Sequence, residues 1–309
     1  MRTILQAVFA VLLIGSAELA KAGHHEDALN IEQLAQAFGW DLESADIQSQ
    51  KVADGLYVLF GIGGNIAVSI GEDGVLIVDD QLPQVMDKIE AAISKIGGGK
   101  IDYAINTHWH FDHAEGNNAL GPKGTTIVAH SNARADMQQG GIVNMVVAKY
   151  NQQPYPKEAL PVFTYDKGMQ IHFNQGEIDL RNFSSAHTNG DTVVIFKAHN
   201  AVHMGDVFNN AGYPFIDVDS GGSIDGMINF CEQTLNISTE DTIVIPGHGP
   251  VTMLKTVRDR VALMIAEGKS MEEVVSAKPT ADFDKDFGPE SASLGFVNRV
   301  YTSLILESS

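Results

Sequence analysis

Four short apolar runs in this chain each adjoin side chains able to bind a metal ion, and that recurrence constrains the fold more than any other feature. The densest case is Thr107-His108-Trp109-His110-Phe111-Asp112-His113. It follows the strand-like Asp102-Tyr103-Ala104-Ile105-Asn106 and precedes a turn, Ala114 to Asn118, that opens a helix. His187 stands just before the β-rich Thr192-Val193-Val194-Ile195-Phe196. Asp206 follows Ala201-Val202-His203-Met204-Gly205, and His248 follows Thr242-Ile243-Val244-Ile245. A lone His-x-His is commonly a surface feature, but α/β sheets place ligands at strand ends. Agreement among four such ends argues for one shared site. Neutral imidazole nitrogens bind Zn²⁺ at about 2.0–2.1 Å and carboxylate oxygens at about 2.0–2.2 Å, and a catalytic zinc keeps one position for water. His108 and His110, two apart in an extended segment, face the same way, whereas Asp112 and His113 come after the chain turns and suit a second ion.

On these motifs, which span His108 to His248, the chain resembles the metallo-β-lactamase fold superfamily of metal-dependent hydrolases. The order of strands and helices extends the likeness from about Leu56 onward. The resemblance implies an α/β architecture, a four-layer αβ/βα sandwich with metals at one edge between the sheets. Matched position by position, it implies a first metal on His108, His110 and His187, a second on Asp112, His113 and His248, and Asp206 bridging both. Two Zn²⁺ are the implied cofactors, with iron or manganese left open because imidazole suits several of these metals. Zinc β-lactamases of the cysteine type carry Cys where Asp206 stands and lack a histidine at His113. Those that keep the histidine usually have serine at the Asp206 position, so the pair here is similar to glyoxalase II and the lactonases. The lysine that anchors a β-lactam carboxylate in the cysteine type falls near Asn209.

Such a ligand set implies that two cations about 3.5–4 Å apart share a water, acidify it and polarise the carbonyl under attack. The nucleophile is then hydroxide, and Asp112 is the catalytic side chain that orients it and relays its proton. Thr188 or Asn189 is expected to support a ligating imidazole from behind. Three readings stay open: an exported zinc hydrolase opening a cyclic amide, with β-lactams foremost; a glyoxalase II-like thioesterase or lactonase; and an iron-dependent oxidoreductase or a metal-carrying accessory protein on the same scaffold.

The start of the chain bears on compartment. Met1-Arg2-Thr3 is a short basic start, Ile4 to Ile14 is apolar but too short to span a bilayer, and Ala20-Lys21-Ala22 is an A-x-A cleavage signal. Residues 1–22 therefore read as a secretory signal and 23–309 as a single hydrolase domain, secreted or periplasmic, with no membrane association once the signal is removed. The 20 Lys and Arg against 39 Asp and Glu give a formal charge of −19. A surface this acidic repels phosphate backbones, which excludes nucleic acid as a partner and leaves a small-molecule substrate. Cys231 is the only cysteine. Its apolar neighbours predict a buried thiol, with neither disulfide nor nucleophilic use.

Leu56–Phe60, Asn65–Ile70 and Val75–Val78 read as strands joined by hairpins at Gly61–Gly64 and Gly71–Gly74. The first glycine run lies between strands and so is no phosphate cradle; Leu59–Ile62 could overhang the substrate as an apolar lid. Gln84–Ile96 has helical spacing and stops at Gly97-Gly98-Gly99. Tyr150–Pro156 has the chemistry of a helix-breaking turn, a connector or a second wall of the cleft. Trp109 is either a pocket wall or packing beneath the metals. His24 and His25 read as solvated, His130 and His172 as packed in strands, and His203 as out of register with Asp206. Ser291–Leu306 has the rhythm of an amphipathic helix packed on the core.

Overall fold

The computed structural model describes residues 28–209, 213–239, 241–245, 260–281 and 290–307. Residues 1–22, read above as a signal, and His248 lie outside the described residues. Two sheets form the centre. One has seven strands in the order β1-β2-β3-β4-β5-β6-β9: Gln48–Ala53, Leu56–Phe60, Ile66–Gly71, Gly74–Val78, Ile101–Ile105, Thr126–His130 and Phe163–Tyr165. The other has five, β10 to β14: Gly168–Phe173, Gly176–Arg181, Val193–Phe196, Ala201–His203 and Ile243–Ile245.

The glycine turns join β2, β3 and β4 as antiparallel neighbours, as the sequence predicts. From β4 onward the first sheet is parallel. Parallel strands are covered on both faces and therefore read as continuous apolar runs; Leu76, Ile77 and Val78 of β4 are all fully buried. Side chains alternate across each strand, so one sheet feeds two cores. Ile66, Val68, Val75 and Ile77 join helices Met86–Lys95 and Ser131–Gln139 in one core. Leu56, Val58, Leu76, Val78 and Ile105 meet Ile178, Leu180, Val194, Phe196 and Ile245 of the second sheet in another. The second sheet's outer face packs on Ile224–Asn236 and on the last helix, Glu290–Glu307, through Phe230, Phe296, Val297 and Val300. Helix, sheet, sheet, helix is the four-layer α/β sandwich.

Some local expectations need correcting. β1 escaped the sequence reading because Gln48-Ser49-Gln50-Lys51 is an exposed edge with no apolar alternation. Tyr150–Pro156 is not simply a turn: Lys149–Gln152 is a strand, β8, paired antiparallel with β7, Gly141–Asn144. Tyr150 and Gln152 point inward on it, so alternate burial outweighs the breaker residues that follow. His172 is exposed on the edge strand β10, not packed. Cys231 is buried as expected, with its thiol pushed up to about 12 by burial and then by Glu232. In the last helix Val297 and Val300 reach the core, while Leu294 stays outside. Among the described residues no helix is long and apolar enough to cross a membrane.

Phe196 is 1 % exposed in the core that joins the sheets. Phe196→Ala should therefore lower stability by about 3–5 kcal/mol, read as a shifted urea midpoint with unchanged slope.

Candidate metal centre

β4, β5 and β13 end at the same edge, where the loops they feed converge. After β5 the chain runs through Asn106–His110 into a single helical turn, Phe111–Ala114. This loop supplies His108, His110, Asp112 and His113. His187 comes from the loop between β11 and β12, and Asp206 from the tight turn Gly205–Val207 after β13. Gly205 adopts φ +51°, and a Cβ there would strike the Thr107 side chain, so a glycine lets the Asp206 turn close onto the histidine loop.

His108, His110 and His187 face one another as three rings, with centroids 4.8, 4.6 and 4.6 Å apart. Each has one nitrogen on the common centre, and these atoms lie within 4.8 Å of one another. His108, His113 and Asp206 form a second such group. Asp206 touches both: its Oδ1 is 3.0 Å from His113 Nε2 and its Oδ2 is 3.8 Å from His187 Nε2. Asp112 Oδ2 lies 3.6 Å from His113 Nε2. Six of the seven residues singled out from the sequence thus meet at one place; the seventh, His248, follows β14 outside the described residues.

The outward nitrogens anchor each ring, and the inward ones meet at the centre, where His187 Nε2 lies 2.9 Å from His110 Nδ1 and His113 Nε2 lies against Asp206 Oδ1. His108 Nδ1 is 3.0 Å from Thr107 Oγ1, and His113 Nδ1 is 2.7 Å from Asp79 Oδ2. His110 Nε2 donates to Asp217 Oδ2 at 2.8 Å, and His187 Nδ1 to the Phe215 carbonyl at 2.7 Å. An imidazole held by its outer N–H presents a lone pair on the other side, the arrangement by which proteins orient metal ligands. His108 Nε2 is buried with no hydrogen-bond partner among the described residues. Such a polar atom calls for an explanation, and coordination to a cation supplies one. The donor set of imidazoles and carboxylates fits a transition-metal ion.

Electrostatics favour a cation here. Burial, then the neighbouring imidazoles, holds His108 well below the usual imidazole range, and burial followed by His110 lowers His187. Burial alone would discourage charge on His113, but Asp206, Asp112 and Asp79 outweigh it and push that imidazole well above its ordinary value. Burial would likewise raise Asp206, yet His113, His187 and His108 hold it far below the usual carboxylate range. Asp217, opposed by burial but bonded to His110 and Ser220, falls to about 2. Asp112 is raised, by burial foremost, against the pull of His113.

The support behind the histidines is not where the sequence put it. Thr188 spends its N–H and hydroxyl on Asp191, at 2.9 and 2.7 Å, and the Asn189 N–H bonds Ser220 O. Asp79, Thr107, Asp217 and the Phe215 carbonyl take the role instead. Asp79 carried a faint signal, an acid directly after the buried run Val75–Val78; Asp217 carried none. Of the stretch Leu59–Ile62, Leu59 is buried in the core, and the glycines that follow are fastened beside the motif. Gly64 N donates to Asp112 O at 2.9 Å and Gln81 Nε2 to Gly64 O at 2.7 Å, pinning it to the motif. Trp109 is packing: it is 3 % exposed within the core, and Gln152 Nε2 donates to its carbonyl. Both nitrogens of His203 are engaged, by Asn65 O and Gly205 N, which keeps it off the ligand set. Both nitrogens of His130 are engaged as well.

Comparison with known proteins agrees with this geometry. A family model described as the metallo-beta-lactamase superfamily matches residues 61–253. Comparison with curated proteins gives no significant match. Among solved structures, the DIM-1 metallo-beta-lactamase is similar at 19% identity and a TM-score of 0.53, covering 68% of this chain and 94% of that one. A metallo-beta-lactamase from Cronobacter sakazakii with a HARLDQ motif has 17% identity and a TM-score of 0.53, over 85% of this chain and 95% of its own. A double mutant of the sec-alkyl sulfatase PisA1 has 13% identity and a TM-score of 0.59, over 84% of this chain and 50% of its own.

Two outcomes follow from the packing around the centre. A Cβ on Gly64 would overlap the His113 ring, so Gly64→Ala should cost about 1–3 kcal/mol, seen in denaturant unfolding. Asp136 has a buried Oδ2 without a partner among the described residues, and burial followed by Asp217 raises its carboxyl from 3.8 to about 6. A raised acid contributes stability that is present below pH 4 and lost as pH rises through 6. Asp136→Asn should therefore be more stable than the parent at pH 8, by on the order of 1 kcal/mol after solvent screening. The difference should vanish below pH 4 in paired urea titrations.

Proposed function

Because the chain belongs to the metallo-beta-lactamase superfamily, we propose that it is an exported dinuclear zinc hydrolase that attacks an amide or ester carbonyl, with β-lactams the first substrate class to test. The single observation that carries this reading is the four buried histidines, each tied by one ring nitrogen outward and turning the other inward. His108, His110 and His187 would hold one ion, and Asp112, His113 and His248 the other, with Asp206 between them. Bound zinc supplies Lewis acidity for the carbonyl and lowers the pKa of water.

The chain's own residues do the rest. Asp112 and Asp206 are each about a quarter exposed while the histidines are buried, so incoming water meets these two carboxylates; Asp206 lies against His113 and His187, which leaves Asp112 to the water. Asp112 orients that water and accepts or relays its proton, a role set by its position beside His113. Asp206, close to His113 and His187 at once, keeps the two halves of the centre at a set separation. Asp79 and Asp217 hold His113 and His110 against rotation.

A second reading draws on one feature. The carboxylate of Asp206 against His113, in place of a thiolate or hydroxyl, favours a thioesterase or lactonase of the glyoxalase II kind. Export favours the β-lactam reading, because it puts the enzyme where such compounds act. Both use the same centre and differ in the leaving group.

Zinc-loaded protein should turn over a chromogenic cephalosporin if the first reading is right, or a thioester or lactone if the second is. His110→Ala and His248→Ala should each lower turnover at least 100-fold, taking a ligand loss as no smaller than the roughly 10–100-fold effects of outer partners. Full activity in both variants rejects the dinuclear mechanism, and stoichiometric iron with oxygen uptake points to redox chemistry instead. Protein recovered from the exported fraction should begin near residue 23, and a retained Met1 speaks against export.

A further inference from the structure

One side chain of the last helix, Glu290–Glu307, packs against the segment behind the histidine centre. Arg299 is 3 % exposed, and its Nη1 donates to Asp219 Oδ2 at 3.1 Å. Its Cζ also lies 5.4 Å from the centre of the Phe215 ring, close enough for cation–π attraction. Its Nε and Nη2 find no hydrogen-bond partner among the described residues. These directed interactions of the buried guanidinium therefore converge on one short segment, Phe215 to Asp219.

That segment is the strap behind the centre. The Phe215 ring stacks on His110 at 5.9 Å and 28°, and meets His187 edge-on at 5.5 Å. The Phe215 carbonyl accepts from His187, and Asp217 accepts from His110. The strap is stitched to the His187 loop by Asp217 N to His187 O and Ser223 N to Ala186 O, both 2.8 Å. The last helix also holds the chain on either side of the strap, where Tyr213 stacks on Phe296 at 5.2 Å and Ile224 N donates to Ser303 Oγ at 3.0 Å, while Arg299 holds the strap itself.

We propose that Arg299 is a positioning residue for the histidine centre: by holding Phe215 and Asp219 together it fixes the strap that aims His110 and His187. The inference rests on reading that centre as a metal site. A rigid planar guanidinium can stack on a ring and donate to a carboxylate at once, which an ammonium does poorly. Orienting partners of metal ligands typically change metal affinity about 10–100-fold when lost.

The test is cobalt(II) uptake by the full chain, followed by chelator competition and the visible absorption of the bound ion, which reports ligand geometry. Arg299→Met keeps the bulk and removes the grip. It should weaken uptake about 10-fold or more and alter the absorption band, while the metal-free variant unfolds at the parent's urea midpoint. Arg299→Lys should recover part of the affinity. Should the methionine variant fail to fold, Asp219→Asn, which leaves the arginine in place, carries the same expectation. Parent-like affinity and spectrum in the folded variants overturn the proposal, as does a loss of affinity matched by an equal loss of metal-free stability. No cobalt uptake by the parent protein removes the metal reading itself, and this inference with it.

Discussion

The buried carboxylate of Asp79 is the interaction on which the centre depends. It stands at the end of β4, fully buried, with φ +65°. Its Oδ1 accepts from the Thr107 N–H at 2.7 Å, and its Oδ2 from the Thr107 hydroxyl at 2.8 Å and from His113 Nδ1 at 2.7 Å. Thr107 in turn lies against His108 Nδ1. One side chain thus sets the start of the histidine loop, the ring of His113 and, through Thr107, the ring of His108. A left-handed aspartate costs about 1–3 kcal/mol and persists only where its surroundings over-determine it. Here the Asp79 N–H is bonded to Ile105 O, tying the two parallel strands at the point where both end.

The centre is shared between the sheets. Asp79 and the histidine loop belong to the first, His187 and Asp206 to the second, and the inter-sheet core around Leu76, Val194 and Phe196 lies between them. Packing of that core is therefore part of the site's geometry, because a shift of one sheet would separate Asp206 from His113. The carboxylates Asp79, Asp112, Asp206 and Asp217 surround four imidazoles in a low-dielectric pocket. That is an expensive arrangement to leave without a central positive charge.

Much of this was legible before any coordinates. Apolar runs flanked by His108–His113, His187 and Asp206 mark a strand-end site, because strand and ligand lie close together in sequence. The runs Leu56–Phe60 and Val75–Val78 are buried on both faces and so read plainly as strands. β1 did not, since Gln48–Lys51 lies at an exposed edge where burial imposes no pattern. Asp217 and Phe215 were invisible for another reason: they act through the outer nitrogens of histidines far away in the chain, and nothing local marks a residue for such a contact. Thr188 and Asn189 looked suitable because they adjoin His187, but the turn closed by Asp191 consumes Thr188's polar groups and carries Asn189 away.

The sequence by itself determined which side chains can bind a cation and that they sit where strands end, since both are properties of residue type and local period. The tertiary structure decided which ring nitrogen faces inward and what holds the other. Those choices depend on Asp79, Asp217, Phe215 and Arg299, brought to the histidines from different layers of the fold by core packing rather than by proximity along the chain.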